Sequence, residues 1–370
     1  MSTDLSLAAA ERPRVSAIPG ERALRHIDAV LLPLLALAVG MGCFSLFLLA
    51  LGKPPAEFFA LVYKAGFGTA FSWTNTLSRA APLLLASLCV ALPARLGLVI
   101  IGGEGAIVLG GVAAGALGML APGLPGGLGI ALMALVAGLT GAVWIGAIGA
   151  LRHLRGVNET ISSLLMSYIA IALMHHLVEG PLRDPASLNK PSTAPLPSSW
   201  HVGLIPEIGV HWGLAAGLVA CIVCSILVER TTFGFAARIV GGNARAATMQ
   251  GLPTGLLTIG FCALGGLCAG LAGMFEVAAV QGSANASLAA GYGYTGILIA
   301  FLARHNSLAI IPCAVLLAGF EASSGLIQRR LDMPDATMLV FEGMMFILIL
   351  LSETLRERLS LLTLIKRIRS

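Results

Sequence analysis

Charge is what this chain has least of. Asp, Glu, Lys and Arg make up 11% of its 370 residues, where a water-soluble chain carries about a quarter. That leaves too little polar surface to cover a soluble globule of this size, so lipid is the solvent the composition calls for. Catalytic signatures are missing too. There is no G-x-x-x-x-G-K-[ST]; the one Gly-Lys pair, Gly52–Lys53, runs into Pro54, so the chain is expected not to cradle ATP phosphates itself. H-E-x-x-H and G-x-S-x-G are absent, which argues against intramembrane protease and acyltransferase chemistry. No repeated filter loop or ring of charges points to a channel. The seven cysteines all sit in apolar stretches rather than in the loops of a disulfide framework, and Cys221-x-x-Cys224 falls mid-run, which suits small apolar filler better than a redox or metal pair. The seven histidines are scattered. His175 and His176 are adjacent and would not face one site on a helix, so no metal site is expected.

The residues present fit the same solvent. AVILMFWYC account for 57% of the chain and the mean hydropathy is +0.91. Forty-five glycines lie largely inside apolar runs, often at small-xxx-small spacing, as in helices packed closely in a bilayer. Apolar stretches occur at 29–51, 77–93, 98–120, 128–150, 160–178, 211–228, 255–279, 294–303, 307–327 and 336–352. They predict an all-α polytopic membrane protein with about ten transmembrane helices. The 77–93 stretch is short, and 294–303 is too short to cross alone, so it is read as a short or re-entrant segment buried among the others. The run at 29–51 is longer than a signal h-region and no A-x-A site closes it, so it reads as a first span rather than a cleaved leader.

Alternation from an internal N-terminus puts sixteen of the 23 Lys and Arg on the inner side and leaves Lys53, Lys64, Arg79, Arg183, Lys190, Arg329 and Arg330 outside. The positive-inside rule then predicts both termini in the cytoplasm. The bias also accounts for the basic pI without a nucleic-acid partner. The expected organisation is a cytoplasmic segment 1–28, a transmembrane domain 29–355 and a basic cytoplasmic tail 356–370. Two loops interrupt it: an outer, Pro- and Ser-rich one at 180–210 and an inner one at 229–252, ERTTFGFAARIVGGNARAATMQGL. Loops of that length between packed spans are usually functional or disordered, and the inner one is too apolar for disorder. A surface helix lying on the membrane is the plainer alternative.

At this inner loop the sequence meets a known pattern. TTFGFAARIVGGNARAATMQGL, followed by Pro253, resembles the cytoplasmic coupling segment of ABC importer permeases, nearest to the branch for nucleosides and simple sugars. AAPLLLASLCVALPARLGLVIIGGEGAIVLGG (80–111) resembles the family's Gly-Glu-Gly region. GVNETISSLLMSYIAIALMHHLVEGPLRDP (156–185) resembles its fifth-helix block, and GYGYTGILIAFLARHNSLAIIPCAVLLAGFEASSG (291–325) its late block. Members usually show Asn-Ile-Gly-x-Glu-Gly-Gln, whereas this chain has Ile100 and Ala106 where the two amides are expected. The solute therefore does not carry over. The resemblance implies partners: a cytoplasmic ATPase subunit that holds ATP and Mg, a second homologous permease chain (a heterodimer being favoured), and an extracytoplasmic solute-binding protein. It implies no cofactor on this chain, and a multi-pass place in a bacterial inner membrane.

Roles follow for particular residues. In the coupling segment Phe233 and Phe235 are expected as apolar anchors in an ATPase groove and Arg238 and Arg245 as partners for its acidic groups. Gly241 and Gly242 are expected to break the segment, and Asn243 to cap the next turn. Ionisable groups inside spans are costly and functional by default, which nominates Glu104, Glu276, Glu321 and Glu342 for the solute pathway; structural roles near span ends are the alternative. Uncharged polar residues suit a neutral nucleoside: Ser162, Ser163, Ser167 and Tyr168 on the fifth span, Asn75 and Thr76 opening the second. Serines serve equally as glue between helices. Arg329 and Arg330, against the charge rule beside Asp332 and Asp335, are read as docking a solute-binding protein, or else as a local ion-pair cluster. The rival function is an ion-coupled secondary transporter, whose mark would be inverted repeats with matched broken helices. The Gly-rich stretches 97–111 and 291–303 are the pair that could supply them.

Overall fold

The computed structural model describes residues 21–187, 189–334 and 336–359, with side chains over 35–352. The expected segments 1–28 and 356–370 therefore fall mostly outside the described residues. Thirteen α-helices make up the described chain: α1 (Glu21–Ala50), α2 (Pro55–Gly66), α3 (Ala70–Ala94), α4 (Gly103–Leu120), α5 (Gly126–Arg155), α6 (Glu159–Glu179), α7 (Gly213–Arg230), α8 (Thr232–Gly242), α9 (Ala244–Met249), α10 (Thr254–Phe275), α11 (Tyr292–Leu302), α12 (Ile310–Leu331) and α13 (Ala336–Leu359). Extended pairing among the described residues is limited to two isolated bridges, Ser192 with Asn285 and Leu204 with His211.

Among the described residues, seven helices are long and apolar enough to cross a membrane: α3, α4, α5, α6, α7, α10 with its π-helical extension to Gln281, and α12. Shorter apolar helices cover 35–50, 286–302 and 336–352. The short second stretch is corrected: α3 begins at Ala70 and runs 25 residues, because Thr69 caps it by accepting from Ser72 N. A helix not foreseen, α2, starts on Pro54–Pro55, where proline costs nothing in a first turn, and it packs against α12.

The chain falls into two compact units, Ser45–Gly343 on one hand and Met1–Phe44 with Met344–Ser370 on the other. In the smaller one the Gly40 backbone lies against the Met345 thioether. In the larger one α3 and α10 are central: α10 packs on α3, α4 and α5, and α3 on α7, α11 and α12. Glycine permits the closest crossings. At Gly141 and Gly266 the backbones of α5 and α10 touch, and at Gly273 α10 meets the Ile107 carbonyl of α4, so a Cβ at any of the three would overlap backbone. With no hydrophobic drive between helices in lipid, such backbone contact is what dispersion forces need.

Two stretches leave the helical ladder inside this bundle, and both have their backbone groups met. Between α3 and α4, Ile101 N donates to Ser163 Oγ at 3.0 Å and Thr160 Oγ1 donates to Val99 O at 3.0 Å. Beyond α10, the stretch around 278–285 pairs with the 180–210 loop: Val202 N to Ala278 O, Leu196 N to Gly282 O and Thr193 N to Ala284 O, all at 2.8–2.9 Å. The Pro-rich loop is thus an ordered cap over one end of the bundle. Trp200 pins it, fully buried, with its Nε1 donating to Leu124 O at 3.2 Å. Trp200→Ala should cost about 3–5 kcal/mol and lower the unfolding temperature in detergent. His211, which joins the cap to α7 and is bridged to Leu204, is 3% exposed. Its Nε2 lies 3.2 Å from Ser78 O. Burial pushes its pKa down from the ordinary histidine value, and the Ser78 contact only partly offsets this. The neutral ring is the folded form, so the protein should lose stability as pH falls below about 6.5, a slope that His211→Gln should flatten in pH-dependent melting curves.

Candidate functional site

The two interior breaks bring two helix starts together. Glu104, in the first turn of α4, is 1% exposed. Its Oε1 accepts from Gly291 N at 2.7 Å and its Oε2 from Gly293 N at 2.6 Å. Those amides open α11, so one carboxylate serves the N-terminal ends of both helices, where the backbone dipoles favour negative charge. Gly293 must lack a side chain, because its Cα lies against the backbone of Gly103 and Glu104. Gly291 takes φ +90°, open to glycine at little cost. α11 is a helix of 11 residues, about 16 Å long, that starts against α4 inside the bundle.

At the capped end lie two open polar cavities, of 420 Å³ and 540 Å³. The first lies between α3, the π-helical turn Glu276–Gln281 and the start of α11, and the second between α2, α3 and the end of α12. Asn75 and Arg79, one turn apart on α3, line both. Glu276, 5% exposed, lines the first and accepts from Gln281 Nε2 at 3.2 Å. Beneath it Thr295 Oγ1 donates to Glu342 Oε2 at 3.1 Å, and Arg79 lies within Coulombic reach of Glu276 and Glu321.

At the opposite end of α7, the 229–252 loop folds as two short helices. Thr231 caps α8 by accepting from Gly234 N at 3.2 Å, and Asn243 caps α9 by accepting from Ala246 N at 3.0 Å. The Phe233 ring stacks on Phe261 of α10, with centroids 4.7 Å apart. Other residues of the pair are open: on α8 Phe235 is 58% exposed and Arg238 is exposed, and on α9 Arg245 is exposed and Met249 is 90% exposed.

Several expectations change. Phe233 is spent inside the chain and is not free to anchor a partner. Gly241 and Gly242 are the last residues of α8, and the segment breaks at the extended Asn243 directly after them; Gly241 also lets α8 approach the Arg95 carbonyl. Thr76 is fully buried and donates to Gly66 O at 2.7 Å, tying α3 to α2. Ser162 donates to Glu159 O, Ser163 holds Ile101 N, and Ser167 Oγ lies 3.4 Å from Gly105 N; these are bonds within and between helices, and the three line neither cavity. Tyr168 is 58% exposed on α6, away from both cavities. Arg329 lines the second cavity and Arg330 is exposed. No ion pair joins either to Asp332 among the described residues, and Asp335 lies outside them. The cavity residues Arg79, Gln281, Asn285 and Tyr292 were not foreseen. Arg79 was legible as a charge in an apolar stretch, but it was assigned to the surface by the charge count.

Glu104→Gln would turn an amide N–H₂ toward one of the two α11 N–H groups. The loss should be about 1–3 kcal/mol, read as a lowered melting temperature of the purified chain.

Comparison with known proteins agrees with this layout. Residues 72–350 match the family described as branched-chain amino acid transport system / permease component. Similar proteins include a glucose ABC transporter permease protein of Haloferax volcanii, 32% identical over 89% of this chain and 88% of that one. Others are a guanosine ABC transporter permease protein of Bacillus subtilis, 26% identical over 86% and 94%, and a nucleoside ABC transporter permease protein of Lactococcus lactis subsp. cremoris, 23% identical over 80% and 84%. The family match covers well over half of the chain, and the protein belongs to this family of transport-system permease components.

Proposed function

We propose that this chain is the membrane-spanning permease subunit of an ABC importer and moves a nucleoside or simple sugar inward by alternating access. Separate ATPase subunits, which hold ATP and Mg, drive the change. The observation that carries this reading is the exposed surface of α8 and α9. Phe235 and Arg238 of α8 and Arg245 and Met249 of α9 are all exposed, at the end of the bundle away from the polar cavities. Apolar side chains flanked by charge on a surface not facing lipid mark a protein partner. Phe233 on Phe261 and Gly241 on the Arg95 carbonyl fasten the inner face of α8 to the bundle, so a push on its outer face reaches α10 and the end of α3.

The finer arrangement follows from the same reading. The three shorter apolar helices count with the seven long ones toward ten membrane segments within 29–355, and both termini lie in the cytoplasm. The cap 180–210 faces outward, α8 and α9 inward, in a bacterial inner membrane. A second permease chain, homologous rather than identical, completes the pore. Arg329 and Arg330 dock an acidic patch of a solute-binding protein, which releases solute into the cavities beside them. The names of the relatives favour the solute class: glucose, guanosine and nucleosides are neutral ring compounds rich in hydroxyls. Two helix starts meeting inside a bundle is also an arrangement of ion-coupled transporters. Here both Glu104 oxygens are already bonded to α11 amides, which leaves that joint a poor site for a coupling ion.

The double variant Phe235→Ala/Arg238→Glu should insert normally and bind solute-loaded binding protein, yet lose most ATP-driven uptake. Uptake at the wild-type rate in membranes carrying the double variant would remove the coupling role.

A further inference from the structure

The 420 Å³ cavity holds polar groups that the protein itself leaves unused. Arg79 is half-buried on α3, and no hydrogen bond or ion pair within 4.0 Å engages it among the described residues. Its carboxylate neighbours Glu276 and Glu321 act on it only through space. Across the cavity, Gln281 spends its amide N–H₂ on Glu276 Oε1, and its own Oε1 is buried without a partner. Lys190, the second cation at this cavity, is tied at the rim to Ser287 Oγ at 2.8 Å. A guanidinium inside a membrane bundle is costly unless something satisfies it, and a buried amide oxygen with no donor is costly for the same reason.

Resting on the importer reading above, we propose that this cavity is a receiving site for a neutral solute bearing two adjacent hydroxyl groups, with the Arg79 fork donating to the hydroxyl oxygens and Glu276 and Gln281 accepting their protons. The chemistry selects the class. A guanidinium presents two parallel N–H groups that meet two neighbouring oxygens at once. Each hydroxyl accepts one bond and still has a proton to give, which matches the carboxylate and amide oxygens opposite. An anion would face Glu276 and a cation would face Arg79. A deoxygenated ring would leave Arg79 and the Gln281 oxygen as bare as they are without solute. The π-helical turn serves this arrangement, since it is where Glu276 and Gln281, five residues apart, come within hydrogen-bond distance of each other.

The test is ATP-driven uptake by the complete complex of uridine and of D-glucose, each paired with an analogue that has no adjacent hydroxyl pair: 2′,3′-dideoxyuridine and 2,4-dideoxyglucose. The binding protein's own preference cancels when only the ratio of variant to wild type is read. Arg79→Gln and Arg79→Lys should each lower kcat/KM for the parent solute by roughly tenfold or more, chiefly through KM, and leave the slower uptake of the analogue nearly unchanged. Lysine keeps the charge and removes the fork, so its failure to rescue separates the two. Equal losses for parent and analogue would mean that Arg79 is structural, and undiminished parent uptake would mean that it is idle; either overturns the proposal. A wild-type complex that couples ATP hydrolysis to binding protein yet takes up neither uridine nor D-glucose overturns the diol class and leaves the importer reading standing. Uptake indifferent to the ATPase would remove that reading and the proposal with it.

Discussion

Every backbone amide that a broken helix exposes inside a bilayer needs a partner, because lipid supplies none. The Glu104 carboxylate answers that need at the most demanding point of this fold, where α4 and α11 both begin inside the bundle. It takes one amide of α11 on each oxygen, at 2.7 and 2.6 Å, while sitting in the first turn of its own helix. The hydroxyls of α6 do the same for the stretch that leads into α4, through Ser163 and Thr160. The 180–210 loop does it for the stretch that follows α10. Without these three sets of bonds the chain could not leave the helical ladder where it does, and the polar cavity beside the π-helical turn would have no walls.

The glycine contacts set what can move. Where α5 touches α10 at Gly141 and Gly266, and α4 touches α10 at Gly273, backbones meet without side chains to yield, so α4, α5 and α10 form one closely packed block. Fastened beneath it is α8, through Phe233 and Gly241, and above it lie the cavities that Arg79 and Asn75 line. On the importer reading, access alternates by tilting such blocks rather than by rearranging individual side chains, and a short helix fastened at one end is placed to transmit the tilt.

Much of this was written in the sequence. Ten apolar stretches each fell on a helix, but α2 was missed, α1 and α3 start eight and seven residues before their stretches, α13 runs seven residues past its own, and α4 starts at Gly103 rather than at 98. Apolar runs report burial in lipid or protein; they do not report where the backbone turns non-helical within that burial. The 229–252 segment stood out through its resemblance to the coupling segment of importer permeases, and Asn243 caps α9 as expected of it. Which face of α8 is free was not legible, since Phe233 and Phe235 are equally apolar and only the position of Phe261 separates them. The four glutamates stood out as costly charges. Their division of labour is not local: Glu104 closes a joint across 187 and 189 residues, Glu342 is held by Thr295 across 47, and Glu276 lines a cavity with residues of α3 and α11, and no local pattern encodes those contacts. Arg79 was counted as an outer-side charge although it is partly enclosed, because charge counting places a residue along the membrane normal and says nothing of its depth in the bundle.

The account stands or falls on the energy source. Radiolabelled uridine or guanosine uptake should be measured in cells that express the neighbouring transport genes, with and without this chain, with an intact or a hydrolysis-dead ATPase, and before and after the proton gradient is collapsed. Uptake that requires both the chain and the intact ATPase, and that survives loss of the gradient, is the result predicted. Uptake that an uncoupler abolishes and that ignores the ATPase would contradict the account and make this bundle a secondary transporter.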